Sequence, residues 1–106
     1  MNLFIHLNLK IAGKLIFTFN QTNGGHSNYV YSLATLENNY LASGDKDGKI
    51  KIWDITIGKL KYTFDQSKGG HKDWVVSLLS LENGYLASAS LDTTVKIWDV
   101  TNSERS

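Results

Sequence analysis

Residues 24–56 read GGHSNYVYSLATLENNYLASGDKDGKIKIWDIT, and residues 69–101 read GGHKDWVVSLLSLENGYLASASLDTTVKIWDVT. The two stretches are offset by 45 residues, and 19 of their 33 aligned positions are identical. Self-similarity at this period marks a supersecondary unit that buries its apolar face only by stacking on its neighbours. The similarity extends backwards, since Gly13-Lys14-Leu15, Thr18-Phe19 and Gln21 match Gly58-Lys59-Leu60, Thr63-Phe64 and Gln66. Residues 1–23 are therefore read as the end of a preceding unit, with Asn8 where Trp53 and Trp98 stand. Residues 24–68 make a complete repeat. Residues 69–106 make a repeat without its last strand, because Ser106 aligns with Lys61.

Inside each repeat the apolar period is two, the signature of strands. Val30 to Leu36 has the β-branched and aromatic content of a short strand. Tyr40 to Gly44, Ile50 to Asp54 and Leu60 to Phe64 follow as the second, third and fourth. Asn38-Asn39, Asn83-Gly84 and Asp47-Gly48 are turn dipeptides that tolerate positive φ. No window has a sustained helical period. The expected fold is all-β, with four short antiparallel strands per repeat.

Composition narrows function further. The chain has 106 residues, with 11 basic and 10 acidic side chains and a net charge of +1, which lacks the basic footprint of a dedicated nucleic-acid binder. Cysteine is absent, which removes disulfides, thiolate metal sites and cysteine nucleophiles. Proline is absent too, so there is no PxxP ligand or proline-rich linker. The apolar runs are shorter than the roughly 20 residues of a membrane helix. Residues 1–19 lack the basic start and small-residue cleavage site of a secretory signal. A cytoplasmic or nuclear setting is the resulting expectation. His6, His26 and His71 are too scattered to suggest a metal site, and no cofactor is implied.

A 45-residue, four-stranded unit that begins Gly25-His26 or Gly70-His71 and ends Trp53-Asp54 or Trp98-Asp99 resembles the WD40 repeat of β-propellers. Spacing adds to the resemblance: Ser43 and Asp47 stand ten and six residues before Trp53, as Ser88 and Asp92 do before Trp98. The resemblance covers residues 3–101 and implies WD40 blades, each a four-stranded antiparallel sheet, arranged as an incomplete propeller. A propeller needs about 4–8 blades, so ring closure calls for further blades from a longer chain or from other copies. The connections Asn20 to Gly24 and Asp65 to Gly69 are longer than is usual in the family.

The resemblance also assigns roles. It implies a structural network of His26, Ser43, Asp47 and Trp53 in one blade and His71, Ser88, Asp92 and Trp98 in the next. The same residue types suggest a Ser-His-Asp nucleophile, but a complete active site duplicated in adjacent repeats is harder to rationalise than a duplicated structural network. The chain is accordingly read as a non-enzyme. Lys51 and Lys96 alternate with apolar neighbours and are expected to point to solvent. In the family, positions just after Gly-His, and the one before the structural Asp, open onto the top of the propeller. Here these are Tyr29, Tyr31 and Lys46, then Trp74, Val76 and Leu91, the expected partner-binding residues. The functional expectation is a non-catalytic scaffold or adaptor that binds a protein or peptide. The alternatives are a fragment without autonomous function, or a phosphate- or nucleic-acid-binding module.

Overall fold

A computed structural model describes residues 12–101. Seven strands follow one another: β1 (Val30–Leu36), β2 (Tyr40–Asp45), β3 (Ile50–Asp54), β4 (Lys59–Phe64), β5 (Val75–Ser80), β6 (Tyr85–Ser90) and β7 (Val95–Asp99). They form two antiparallel sheets, one ordered β1-β2-β3-β4 and the other β5-β6-β7. Among the described residues the sheets do not close into a ring. One-turn 3-10 helices occupy the links at Gln21–Asn23, Glu37–Asn39, Gln66–Lys68 and Glu82–Gly84. The repeat-end helices are capped by side chains, Asn20 accepting from the Thr22 N–H and Asp65 from the Ser67 N–H. These caps account for the long connections before each Gly-His. Asn38, Asn39 and Asn83 all adopt φ between 62° and 65°, the left-handed conformation their residue type tolerates.

The repeats share register as well as strands. In both, the first hairpin carries a one-residue bulge near the start, between Val30 and Ser32 and between Val75 and Ser77. Tyr31 and Val76 are the extra residues. Leu15 to Phe19 is expected to be the fourth strand of a preceding blade, but the structure assigns it no ladder. The earlier part of that preceding unit, residues 1–11 with the Asn8 position, lies outside the described residues. Phe19 nonetheless stacks on Trp53 with centroids 4.0 Å apart, and Phe64, one period later, stacks on Trp98 at 4.5 Å.

The core lies between the sheets, where β5 packs on β1 and β2. Ile50, Ile52, Val75, Leu78 and Leu86 are its buried centre. Close approach here depends on a missing side chain. A Cβ at Gly44 would lie 2.6 Å from Val75 Cγ1, and the Ser32 hydroxyl bonds the Val75 carbonyl across the gap at 3.2 Å. Among the described residues the second sheet has no such cover on its far side. Ile50 and Ile52 are fully buried, whereas their equivalents Val95 and Ile97 are 70% and 57% exposed.

Lys51 departs from the expectation of an outward, solvated lysine. It is only 8% exposed, and its ammonium donates to the Thr63 hydroxyl of β4 at 3.2 Å. Burial, helped by repulsion from Lys49, pushes its pKa down. The long apolar stem lets a lysine bury its length while its head finds a partner.

The β2–β3 turn uses Gly48 at φ 89°, but the matching β6–β7 turn places Thr93 at φ 75°. A β-branched residue there is strained, at a typical cost of about 1–3 kcal/mol. Thr93→Gly should therefore raise stability by about 1 kcal/mol, the strain relief less the added chain entropy of glycine. Gly48→Thr should lower it by more, because a Cβ there also meets the His71 carbonyl oxygen at 2.4 Å. Urea denaturation of the two variants checks both signs.

Candidate functional site

Two groups of residues come together. The first lies inside each blade, its members buried or half-buried. In the first repeat the Trp53 indole N–H of β3 donates to Ser43 Oγ of β2 at 2.9 Å. Ser43 Oγ lies 2.6 Å from His26 Nε2, and His26 Nδ1 lies 2.6 Å from Asp45 Oδ2. The donor inventory orders this chain: indole N–H to hydroxyl, hydroxyl to Nε2, and Nδ1–H to carboxylate. The second repeat repeats it from Trp98 to Ser88 at 2.9 Å, Ser88 to His71 at 2.7 Å and His71 to Asp92 at 3.0 Å.

The carboxylate on His26 is Asp45, a correction to the sequence expectation of Asp47. The reason is an exchange of roles between strand end and turn. Asp45 closes β2, fully buried, and also accepts the N–H groups of Asp47 and Lys49 at 2.8 and 3.0 Å. Asp47 is exposed and accepts from the Asn28 amide at 3.0 Å. The second repeat has Ser90 where Asp45 stands. There Asp92 turns inward to His71, and the Ser90 hydroxyl takes over the turn by accepting the Asp92 N–H at 3.0 Å. Thr94 Oγ1 adds a contact to His71 Nδ1 at 3.1 Å that the first repeat, with Lys49, lacks. The one signal in the sequence was that Asp45 and Ser90 differ.

The order Asp-His-Ser is that of an acyl-transfer triad, but the setting is not. Ser43 and Ser88 are buried, and each hydroxyl oxygen is already engaged by an indole N–H. Among the described residues every fully buried side-chain polar atom has a partner. No group of three or more His, Asp or Glu is placed there to hold a metal, and no helix is long and apolar enough to cross a membrane.

Electrostatics favour the charged carboxylates. Burial pushes the Asp45 carboxyl up, but hydrogen bonds from His26, Lys49 and Asp47 outweigh it and leave the pKa below its ordinary value. At Asp92, hydrogen bonds led by the Thr94 hydroxyl, with the Lys72 and Thr94 N–H groups and His71, exceed the opposing effect of burial. They hold that carboxyl well below the usual range.

The second group is at the surface, where β1 and β5 begin. The bulges turn Tyr31 and Val76 out of the pleat, as such bulges characteristically re-aim a side chain. Backbone bonds clip the following turn to this end, Lys46 N–H to the Tyr29 carbonyl at 2.9 Å and Leu91 N–H to the Trp74 carbonyl at 3.0 Å. Tyr31 stacks on Trp74, just before the other sheet, with centroids 4.6 Å apart, and Tyr29 meets Tyr31 edge-on at 6.4 Å. Lys46 Nζ lies 5.3 Å from the Tyr29 centroid and 5.1 Å from that of Trp74. Tyr29, Tyr31, Lys46 and Trp74 are thus brought together across the two blades. Val76 and Leu91 are exposed at the equivalent end of the second sheet, without such ring contacts among the described residues.

The family model described as "WD domain, G-beta repeat" matches residues 13–54 and 58–99. Among solved structures, the computationally designed Ika4 protein is similar at 31% identity and a TM-score of 0.69, over 85% of this chain and 50% of that one. The designed Ika8 protein is similar at 31% identity and a TM-score of 0.68, over 84% of this chain and 25% of that one. U3-55K is similar at 38% identity and a TM-score of 0.64, over 72% of this chain and 23% of that one. The chain spans half the length of the first and about a quarter of the other two. No curated protein matches it.

The buried chains generate two expectations. Asp45→Ala should cost about 2 kcal/mol, since it strands the His26 N–H and two turn N–H groups, whereas Asp47→Ala should cost less than about 1 kcal/mol. Urea titration of the pair measures the difference. The pH dependence follows from the lowered pKa values of Asp45 and Asp92. A carboxyl that is more acidic folded than unfolded contributes fully above its unfolded value of about 4 and loses that contribution as pH falls through the folded pKa. Thermal melts should therefore hold steady in these terms above about pH 5 and decline progressively below pH 4.

Proposed function

Since the chain belongs to the WD40 family, whose repeats generally mediate protein interactions as scaffolds, we propose that it is a non-catalytic scaffold or adaptor. It would bind a protein or peptide partner at the end where β1 and β5 begin. The observation that carries this reading is the aromatic cluster of Tyr29, Tyr31 and Trp74. Tyr29 is 65% exposed and Tyr31 49% exposed, so large apolar ring area is presented to solvent at the end of the β1–β2 ladder. Such residues dominate binding energy because they bury much area and lose few rotamers. Stacking across two sheets fixes the rings before a partner arrives, which lowers the ordering cost of association.

The buried Ser-His-Asp chains are assigned to stability, not catalysis. Val76 and Leu91 belong to the same proposal as the corresponding part of the next surface. Further blades, from a longer chain or other copies, would supply its remaining residues and cover Val95 and Ile97.

Peptides selected from a displayed library on the full chain provide the test. Alanine at Tyr29, Tyr31 or Trp74 should weaken a selected peptide at least fivefold, about 1 kcal/mol each. Lys96→Ala should change affinity by less than about twofold. Calorimetric titration supplies the affinities, and a scan in which all three aromatic variants bind normally would remove the assignment. Hydrolase activity lost with Ser88→Ala at unchanged binding would replace it with an enzymatic one.

A further inference from the structure

The aromatic cluster already contains a cation. Lys46 Nζ lies over both the Tyr29 ring, just before β1, and the Trp74 ring, just before β5, at 5.3 and 5.1 Å from their centroids. Both distances are within the roughly 6 Å over which an aromatic face attracts an ammonium. Tyr31 braces the two walls, stacked on Trp74 at 4.6 Å and edge-on to Tyr29 at 6.4 Å. Lys46 forms no ion pair with a carboxylate among the described residues. Its placement is therefore not dictated by a countercharge. The backbone bond from Lys46 to Tyr29 roots the side chain at the edge of this space, and the side chain is half-buried.

We propose that Tyr29 and Trp74, braced by Tyr31, form the walls of an aromatic cage for a methylated lysine side chain on a partner peptide, and that Lys46 is its displaceable internal occupant. This rests on the partner-binding reading of the same residues and specifies the chemistry the partner brings. A primary ammonium is compact and strongly hydrated, and it gives up good hydrogen bonds to water when held against rings. A trimethylated ammonium keeps the charge but has no N–H to leave unsatisfied, and its methyl groups bury apolar area on the same ring faces. Recognition of quaternary ammonium groups is the characteristic functional use of such ring arrangements. The incoming group competes with a tethered one, so the affinity of the unaltered chain is reduced by the fraction of time Lys46 fills the cage.

The opposing signs of two substitutions test this. A short peptide carrying one trimethyl-lysine, and its unmethylated twin, are titrated against the full chain and its variants by calorimetry. Lys46→Ala empties the cage and should tighten the methylated peptide about five- to tenfold. The twin should remain at least tenfold weaker. Trp74→Ala should abolish the preference for methylation, and Trp74→Phe, which keeps a ring face, should retain part of it. In NMR spectra the Lys46 ε-methylene protons should lie upfield under the two rings and return to ordinary lysine values as the methylated peptide is added. The cage is overturned if Lys46→Ala leaves the methylated peptide unchanged or weaker. Equal binding of the twin, or an unmoved Lys46 resonance at saturation, overturns it as well. Equal binding of phosphatidylcholine vesicles would reassign the site to a lipid headgroup and also overturn the peptide assignment. Library peptides that bind through Tyr29, Tyr31 and Trp74 without a methylated ammonium would leave the scaffold reading standing while the cage falls. Binding that depends on none of the three residues would sink both.

Discussion

The single N–H of an indole, buried at Trp53 and half-buried at Trp98, organises the strands around it. Trp53 spends that donor on Ser43, which obliges the hydroxyl to donate onward to His26 and the imidazole to Asp45. The chain of bonds ties the paired strands β2 and β3 to His26, which stands before β1 and belongs to no strand. Its value is mainly negative. Each net bond contributes about 1 kcal/mol, but removing a member leaves buried partners that water cannot reach. The flat face of the same indole is covered by Phe19, and that of Trp98 by Phe64. One residue type therefore ties strands within a blade through its edge and receives the preceding segment through its face.

Much of this was legible because the sequence says it twice. Strand β3 begins and ends where the alternation Ile50 to Asp54 places it, and the asparagine turns adopt the conformation their residue type favours. Identity between repeats also concealed something. Asp47 and Asp92 align, and the common spacing to Trp suggested a common role, yet only Asp92 reaches its histidine. The exchange of Asp45 for Ser90 decides which carboxylate turns inward, and that is a matter of three-dimensional reach. Lys51 departs from its expected outward place for a related reason. Alternation within a strand distinguishes two faces but cannot say that both are covered, and β3 is covered on both, with four of its five residues buried.

The surface cluster shows the opposite balance. Its residues are the ones that differ between repeats: Tyr29 against Trp74, Tyr31 against Val76, Lys46 against Leu91. The ladder and the bulge beneath them are the same in both. A shared backbone presents different side chains at each station, so chemistry varies while geometry is held. The contacts that matter cross from one repeat to the next, Tyr31 onto Trp74 and Lys46 onto Trp74. A repeat taken alone would carry only half of the arrangement.

The glycines of the first repeat give the array a direction. Gly44 and Gly48 stand where a Cβ would strike Val75 and the His71 carbonyl of the following blade, and the second repeat has Ala89 and Thr93 at these places. Despite their likeness, the two units are not interchangeable bricks. A permuted chain with the second repeat in front would offer its follower a raised surface, and that follower would have to stand off from the ladder. Gene rearrangements that shuffle such units are thus filtered by two missing methyl-sized volumes, and neighbours in the array are matched pairs whose order is part of what the sequence encodes.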